Sequence, residues 1–313
     1  METASLNPSA MMHAVRLHSA TGVEGLEYEE IASPRAGLGQ TVVRVHAAAV
    51  TRDELDWPVD RLPATPSYEF SGVVVELGPG VAEPSIDDEV FGLAGFDRDG
   101  AAADFVSVPA TVLAPKPGTL DHTQSAALPL AGLSAWQGLF DHGHLTEGQR
   151  VLISGAAGGV GHLATQLARD RGAYVIGTAS QEKLESVRNF GAHETLDRMT
   201  QPFEDSIEPV DLFFDTVGGE LLRRSSGVVR PGGTIVSIAE DPPKLTDEAR
   251  IDCVYFVVKP NRAQLIDIAR LADRGALKPA IDSVFPLTEA QAAFKRSMES
   301  STRGKVILRL VHD

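Results

Sequence analysis

The sequence predicts an α/β protein, with a β-rich unit first and a doubly wound parallel sheet after it. Three observations carry this. Up to about Pro117, short valine-rich segments are separated by glycine and proline, the pattern of a compact barrel-like unit. From Gln149 onward, apolar runs alternate with amphipathic stretches about six times, which argues parallel strands wound by helices. At the start of that second part, a glycine-rich turn joins the first apolar run to the first amphipathic stretch.

The β-rich unit is read from "TVVRVHAAAV" (41–50), "SGVVVELGPGV" (71–81), "DEVFGLAG" (88–95) and "ADFVSVPA" (103–110), with "LPATP" (62–66) as a proline-stiffened loop. "HTQSAALPLAGLSAWQGLF" (122–140) is helical on either side of Pro129. The strands of the second part are "VLIS" (151–154), "YVIGT" (174–178), "HETL" (193–196), "VDLFFDTV" (210–217), "GTIVSIA" (233–239) and "CVYFVV" (253–258). After the first of them, Val160, Leu163, Ala164, Leu167 and Ala168 share one helical face. Leu184 and Val187 do the same on a helix that Gly191 stops. "NRAQLIDIARLADRG" (261–275) is an amphipathic helix, and "TEAQAAFKRSMES" (288–300) opens with Thr288 and Gln291 in capping-box spacing. "KVILRL" (305–310) is a last strand.

Composition narrows the function. Of 313 residues, 43% are hydrophobic and 23% charged, a globular balance. No apolar run reaches the roughly 20 residues that span a bilayer. Residues 1–10, "METASLNPSA", lack the basic and apolar regions of a secretory signal and read as a flexible extension. Cytoplasmic residence is the default expectation. A net charge of −15 disfavours a nucleic-acid partner, which selects a basic surface. Cys253 is the single cysteine, so neither an internal disulfide nor a multi-cysteine zinc site forms within one chain.

The turn Gly155-Ala156-Ala157-Gly158-Gly159-Val160-Gly161 has the setting of a dinucleotide-binding loop. Gly158 lets the backbone approach a pyrophosphate with no Cβ in the way, and Gly161 lets the helix pack close to the strand. The N–H groups at the helix start favour phosphate. Ala156 replaces the first glycine of the usual pattern, so a tight turn that binds nothing is the plainer alternative. At the end of the next strand, an NAD site places an acid on the ribose 2′-OH. Here stand Thr178-Ala179-Ser180 with Lys183 one turn on, a hydroxyl and an ammonium that suit the 2′-phosphate of NADPH. Glu182 is a counter-signal, and Ser180 as a helix cap with a solvated Lys183 is the bland alternative.

With these residues in hand, the chain resembles the medium-chain dehydrogenase/reductase superfamily, in its zinc-free quinone oxidoreductase branch that includes zeta-crystallin. "AALPLAGLSAWQGLF" (126–140), "GQRVLISGAAGGVG" (148–161), "FDTVGGE" (214–220), "RPGGTIVSI" (230–238) and "GKVILRL" (304–310) carry the likeness in order and spacing. The resemblance implies a GroES-like catalytic domain over 11–121 and 260–313, an inserted Rossmann domain over 122–259, and a site in the cleft between them. It assigns Gly158, Gly159 and Val160 to the pyrophosphate, and Ser180 and Lys183 to the 2′-phosphate. Thr216 and Val217 then line the path to the nicotinamide, Phe256 and Val257 offer backbone groups to its carboxamide, and Ser134 lies near its ribose. Plain sheet core is the competing reading for the Phe256 and Val257 side chains.

The same resemblance aligns the zinc-holding cysteine of related alcohol dehydrogenases with Thr51, and their Gly-His-Glu with Ser67-Tyr68-Glu69. Thr51 and Tyr68 are not normal zinc ligands, and His142 and His144 have no third ligand nearby in sequence. Without a Lewis acid to stabilise alkoxide, reduction of an electron-poor acceptor, a quinone or an α,β-unsaturated carbonyl, is the expected reaction. Tyr68 is the first candidate donor to the developing oxyanion and Thr51 the second; a pocket wall and a strand-end hydroxyl are the alternatives. Trp57 could stack on a flat substrate or plug the barrel. The loop holding Thr51, Glu54 and Asp56 departs from the branch's Asn-x-x-Asp, which leaves open a pathway-specific enoyl reductase or ketoreductase. A low-turnover NADPH-binding protein is the reading from a different class. A homodimer is common among such relatives, with "CVYFVV" extending a sheet across two subunits.

Overall fold

The computed structural model describes residues 11–58, 60–197, 206–242 and 250–310; the expected extension 1–10 lies outside them. The chain forms two compact units. One holds the residues up to Leu130, Pro260–Arg274 and those from Pro279 on, and the other holds Ala131–Lys259 with Gly275–Lys278.

In the first unit, β1 (Met11–Leu17) and β2 (Leu26–Ala32) pair as a hairpin. The main sheet has seven strands. β3 (Gln40–Val50) lies at its centre, with β4 (Glu69–Leu77), β5 (Glu89–Leu93), β6 (Phe105–Pro109) and β7 (Leu113–Pro115) following in sequence. β3 is buried on both faces over most of its length because it is partnered on every side. β4 and β6 pair antiparallel with it from within the N-terminal stretch. Two short helices end this stretch, α1 (His122–Ala126) and α2 (Pro129–Trp136).

The second unit is a six-stranded sheet. Its elements are β8 (Arg150–Ile153), α3 (Gly161–Asp170), β9 (Tyr174–Ala179), α4 (Leu184–Asn189), β10 (Glu194–Asp197), β11 (Val210–Asp215), α5 (Glu220–Arg224), β12 (Val229–Ser237) and β13 (Asp252–Tyr255). The strand order is β10-β9-β8-β11-β12-β13, and every pairing is parallel. The order reverses direction between β8 and β11, the switch point outside whose carboxyl ends such sheets bind ligands. Leu163, Ala164, Leu167 and Ala168 are buried on α3, the face that the sequence period selects. Leu152, Ile176, Phe213 and Ile235 pack as the core on one side of the sheet.

The chain then returns to the first unit through α6 (Arg262–Asp273), β14 (Ile281–Pro286), α7 (Ala290–Met298) and β15 (Lys305–Arg309). β15 pairs antiparallel with β3, with Val306 opposite Val50, so the final strand completes the sheet begun by the N-terminal half. Phe294 of α7 packs with Leu17, Leu26 and Leu308 in one core.

The capping box expected at Thr288 and Gln291 does not form. A turn of 3-10 helix over Leu287–Glu289 precedes α7, with Glu289 at the cap position and no side-chain cap. Leu287 is buried with Phe294, and Gln291 Nε2 donates to the Leu26 carbonyl at 2.9 Å. The Leu26 carbonyl holds the Gln291 side chain away from the local N–H it would have accepted from. The capping box occurs instead at Asp121 and Gln124, at the start of α1.

Candidate functional site

In the parallel-sheet unit, the expected cofactor residues fall along the carboxyl edge of the sheet. Ala157, Gly158, Gly159 and Val160 follow β8, Thr178 ends β9 with Ser180 and Lys183 just beyond, Thr216 and Val217 follow β11, and Phe256 and Val257 follow β13. Ser134 is elsewhere, buried on α2.

The glycine-rich turn is shaped by close approach. A Cβ on Gly161 would stand 2.2 Å from the Gly155 carbonyl oxygen, so only glycine lets α3 start against the turn. Gly155 has φ 63° and leaves room for Thr216 and Val217. Around Gly158, by contrast, a Cβ would meet only the Gly155 oxygen, at 3.2 Å, and Gly158, Gly159 and Val160 are partly open to solvent. The His162, Leu163 and Ala164 amides already donate to the Gly158 and Val160 carbonyls, so the donors this edge can offer a phosphate are the amides of Gly159, Val160 and Gly161 in the turn itself.

Asp215, at the end of β11, organises the neighbouring loop. Its fully buried carboxylate accepts from Ser154 Oγ at 2.6 Å and Ser237 Oγ at 2.8 Å, and from the backbone N–H groups of Val217 and Gly218. Thr216 is held twice by Ser154, its N–H donating to Oγ and its hydroxyl donating to the carbonyl. The result leaves Val217 47% exposed beside the glycine turn. Sequence reasoning assigned Asp215 no role, because its two serine partners lie 61 and 22 residues away.

The residues after β9 divide their work. Thr178 is buried, with its hydroxyl 3.4 Å from the Gly155 amide, and it supports the turn from below. Ser180 donates to Glu182 at 3.0 Å. Lys183 is 9% exposed. After β13, Phe256 packs against the His142 ring at 4.4 Å, and Val257 is 56% exposed. The Gln137 side-chain amide accepts from the Lys259 N–H and donates to the Lys259 carbonyl, pinning the segment that carries both. Gln137 opens a turn of π-helix over Gln137–His142, a feature often found at functional sites. No residue type around Gln137 marks it as a clamp.

In the β-rich unit, Tyr68 and Trp57 form an aromatic cluster with Phe96, which sequence reasoning missed. Tyr68 lies 5.7 Å from Trp57 and 5.3 Å from Phe96, and Trp57 meets Phe96 edge-on at 4.9 Å. Tyr68 is fully buried, and its oxygen accepts from Arg61 at 2.7 Å. Burial pushes the phenol up to about 12, against the pull of the Arg61 guanidinium. Thr51, half-buried, accepts from the Lys305 ammonium at 3.2 Å. That ammonium is itself 2.5 Å from Glu69 Oε1, and Glu69 Oε2 accepts from the Leu130 N–H at the start of α2 at 2.9 Å. Each of the two hydroxyls thus faces a cation, a poor setting for a divalent metal. Among the described residues, the grouping of side chains close enough to share a metal is His18, Glu27 and Glu29, in and beside the β1–β2 hairpin and including none of the expected site residues.

Residues 37–118 match the family described as alcohol dehydrogenase GroES-like domain, and residues 190–308 the family described as zinc-binding dehydrogenase. An NADPH-dependent alkenal/one oxidoreductase, chloroplastic, of Arabidopsis thaliana is 32% identical over 92% of this chain and 76% of its own. A 2-haloacrylate reductase of Burkholderia sp is 29% identical over 95% of this chain and 99% of its own. The quinone oxidoreductase structure from Coxiella burnetii superposes with a TM-score of 0.89 at 29% identity, covering 96% of this chain and all of that one. The protein is an α/β oxidoreductase built of a GroES-like and a Rossmann-type part. The chain belongs to the medium-chain dehydrogenase/reductase superfamily, in its quinone oxidoreductase branch, and a nicotinamide dinucleotide is its cofactor. Among the described residues, no helix is long and apolar enough to cross a membrane.

Proposed function

We propose that the protein is an NADPH-dependent reductase that transfers hydride to quinones or α,β-unsaturated carbonyls without zinc. The observation that carries this reading is the convergence of the open glycine turn, the Asp215-held loop and the Lys183 segment on one sheet edge, in a chain similar to an NADPH-dependent alkenal/one oxidoreductase. The dinucleotide supplies the hydride when bound. The amides of the glycine turn bind its pyrophosphate, Thr216 and Val217 line its length, and the backbone of Phe256 and Val257 orients the nicotinamide end, while Ser134 stays buried on α2 away from this edge. Ser180 and Lys183 take the 2′-phosphate; β9 ends without an acid, and Glu182 already accepts from the Ser180 hydroxyl.

In the other unit, Trp57 packs at an angle against Tyr68 and Phe96 and is itself half-buried, so its ring is the one placed to stack on a planar acceptor. Of the two hydroxyls expected to donate, Thr51 is the better supported: it is half-buried and polarised by an ammonium, whereas Tyr68 is fully enclosed. The two cations beside these hydroxyls argue against a catalytic metal. The exposed edge strand β13, with Tyr255 43% exposed, suits pairing with a second copy as a homodimer, and one cysteine suits the reducing cytoplasm.

NADPH consumption with methyl vinyl ketone and with benzoquinone, in the presence of a chelator, tests the reading. Turnover that the chelator leaves unchanged is expected. Lys183→Glu should weaken NADPH binding at least about tenfold while NADH changes far less; equal effects on both would contradict the assignment.

A further inference from the structure

The chain leaves the sheet after β13 at Phe256, whose N–H donates to the Ser237 carbonyl at 3.2 Å. Three residues later it is caught again, this time by a side chain. Gln137 Nε2 donates to the Lys259 carbonyl at 2.8 Å, and Gln137 Oε1 accepts from the Lys259 N–H at 3.1 Å. A primary amide that meets both polar groups of one residue does what a neighbouring strand does. Between these anchors, the backbone N–H and C=O groups of Val257 and Val258 make no hydrogen bond among the described residues. Such groups need a partner from elsewhere.

The clamp has a firm base. Gln137 is buried and opens the π-helical turn Gln137–His142, which the Gly143 N–H closes by donating to the Gly138 carbonyl at 3.0 Å. A Cβ on Gly138 would run into the Phe214 ring, so the turn sits directly against β11. At its far end, the His142 ring packs on Phe256 at 4.4 Å. In an α-helix, residues five apart point about 140° away from each other; the wider π-turn swings them toward one side. One turn thereby grips the segment 256–259 at both ends.

We propose that Gln137 is a positioning residue for hydride transfer: by fixing Lys259 it holds the Val257–Val258 backbone open to the nicotinamide carboxamide and so sets which face of the ring is presented. This rests on the reductase reading above. A carboxamide brings an NH2 donor and a carbonyl acceptor, the complement of the backbone groups that the clamp leaves unpaired. Gln137 acts through the segment 256–259 and does not touch the reacting atoms.

The test separates positioning from mere support. In the full chain without nucleotide, amide hydrogen exchange should be slow at Lys259 and fast at Val257. NADPH should slow Val257, and 2′-phospho-ADP-ribose, which lacks the nicotinamide, should not. Gln137→Met keeps the length of the side chain and loses its amide. It should bind 2′-phospho-ADP-ribose as the wild type does and NADPH at least about fivefold more weakly. With methyl vinyl ketone its kcat should fall at least about tenfold. NADPH deuterated on one face should then give a mixture of labelled and unlabelled product, where the wild type gives one or the other. Equal losses for both ligands, or wild-type NADPH affinity and face selectivity in Gln137→Met, overturn the proposal. So does a wild type in which Lys259 exchanges as fast as Val257, or in which NADPH leaves Val257 unprotected, and neither result needs a variant. Wild-type protein that reduces no enone or quinone overturns the reductase reading, and the role in transfer with it; turnover with an unprotected Val257 overturns the clamp alone.

Discussion

Ser154 Oγ donates to Asp215 Oδ1 at 2.6 Å and accepts from the Thr216 backbone N–H at 2.9 Å, so one hydroxyl ties the strand before the glycine turn to the loop after β11. The carboxylate is met only by donors: two serine hydroxyls and two backbone amides. Asp215→Asn turns an NH2 group toward some of them. The expected result is a loss of about 1–3 kcal/mol of stability and at least about tenfold weaker nucleotide binding, read by urea unfolding and calorimetric titration. Unchanged nucleotide affinity would detach the loop from the cofactor.

The sequence revealed the sheet, its helices and the glycine turn because each is local: a period of two or 3.6 residues, or glycines at fixed offsets. The final strand was legible, and β15 does pair with β3. What stayed hidden joins distant positions. Arg61 reaches both the Tyr68 oxygen and the Phe96 carbonyl, Lys305 reaches Thr51 254 residues away, and Gln137 holds Lys259. None of these residue types is distinctive in its own neighbourhood. The Thr288–Gln291 spacing misled for the converse reason, a local signal overruled by a tertiary partner.

Ser67 has φ 65°, in the left-handed region that costs an L-residue roughly 1–2 kcal/mol, and its buried hydroxyl has no hydrogen-bond partner. Ser67→Gly relieves both penalties and loses some chain entropy. The urea midpoint should rise by the equivalent of about 1 kcal/mol with the slope unchanged. A lower midpoint would show that the Ser67 side chain is needed where it stands.

Asp282 takes two hydrogen bonds from Arg296, at 2.7 and 2.8 Å, and one from the Arg303 N–H at 3.0 Å, tying β14 to α7 and to the turn before β15. Burial raises its carboxyl, but these bonds prevail and hold it below the usual 3.8. A carboxylate with a lowered folded-state value stabilises above its unfolded value and loses that contribution as the pH falls through the folded one. Asp282→Asn should therefore cost about 1–3 kcal/mol at neutral pH, a gap that closes as the pH falls below 3.8. A gap independent of pH would contradict the charge-based account.

The most direct test follows the transferred atom. NADPH deuterated at the hydride position is consumed with methyl vinyl ketone in ordinary water and chelator, and the product is read by mass spectrometry and NMR. Hydride transfer to an enone predicts one deuterium at the β-carbon for each NADPH oxidised, with the second new hydrogen drawn from solvent. Deuterium lost to the medium, or NADPH left unconsumed with enone and quinone alike, would contradict it.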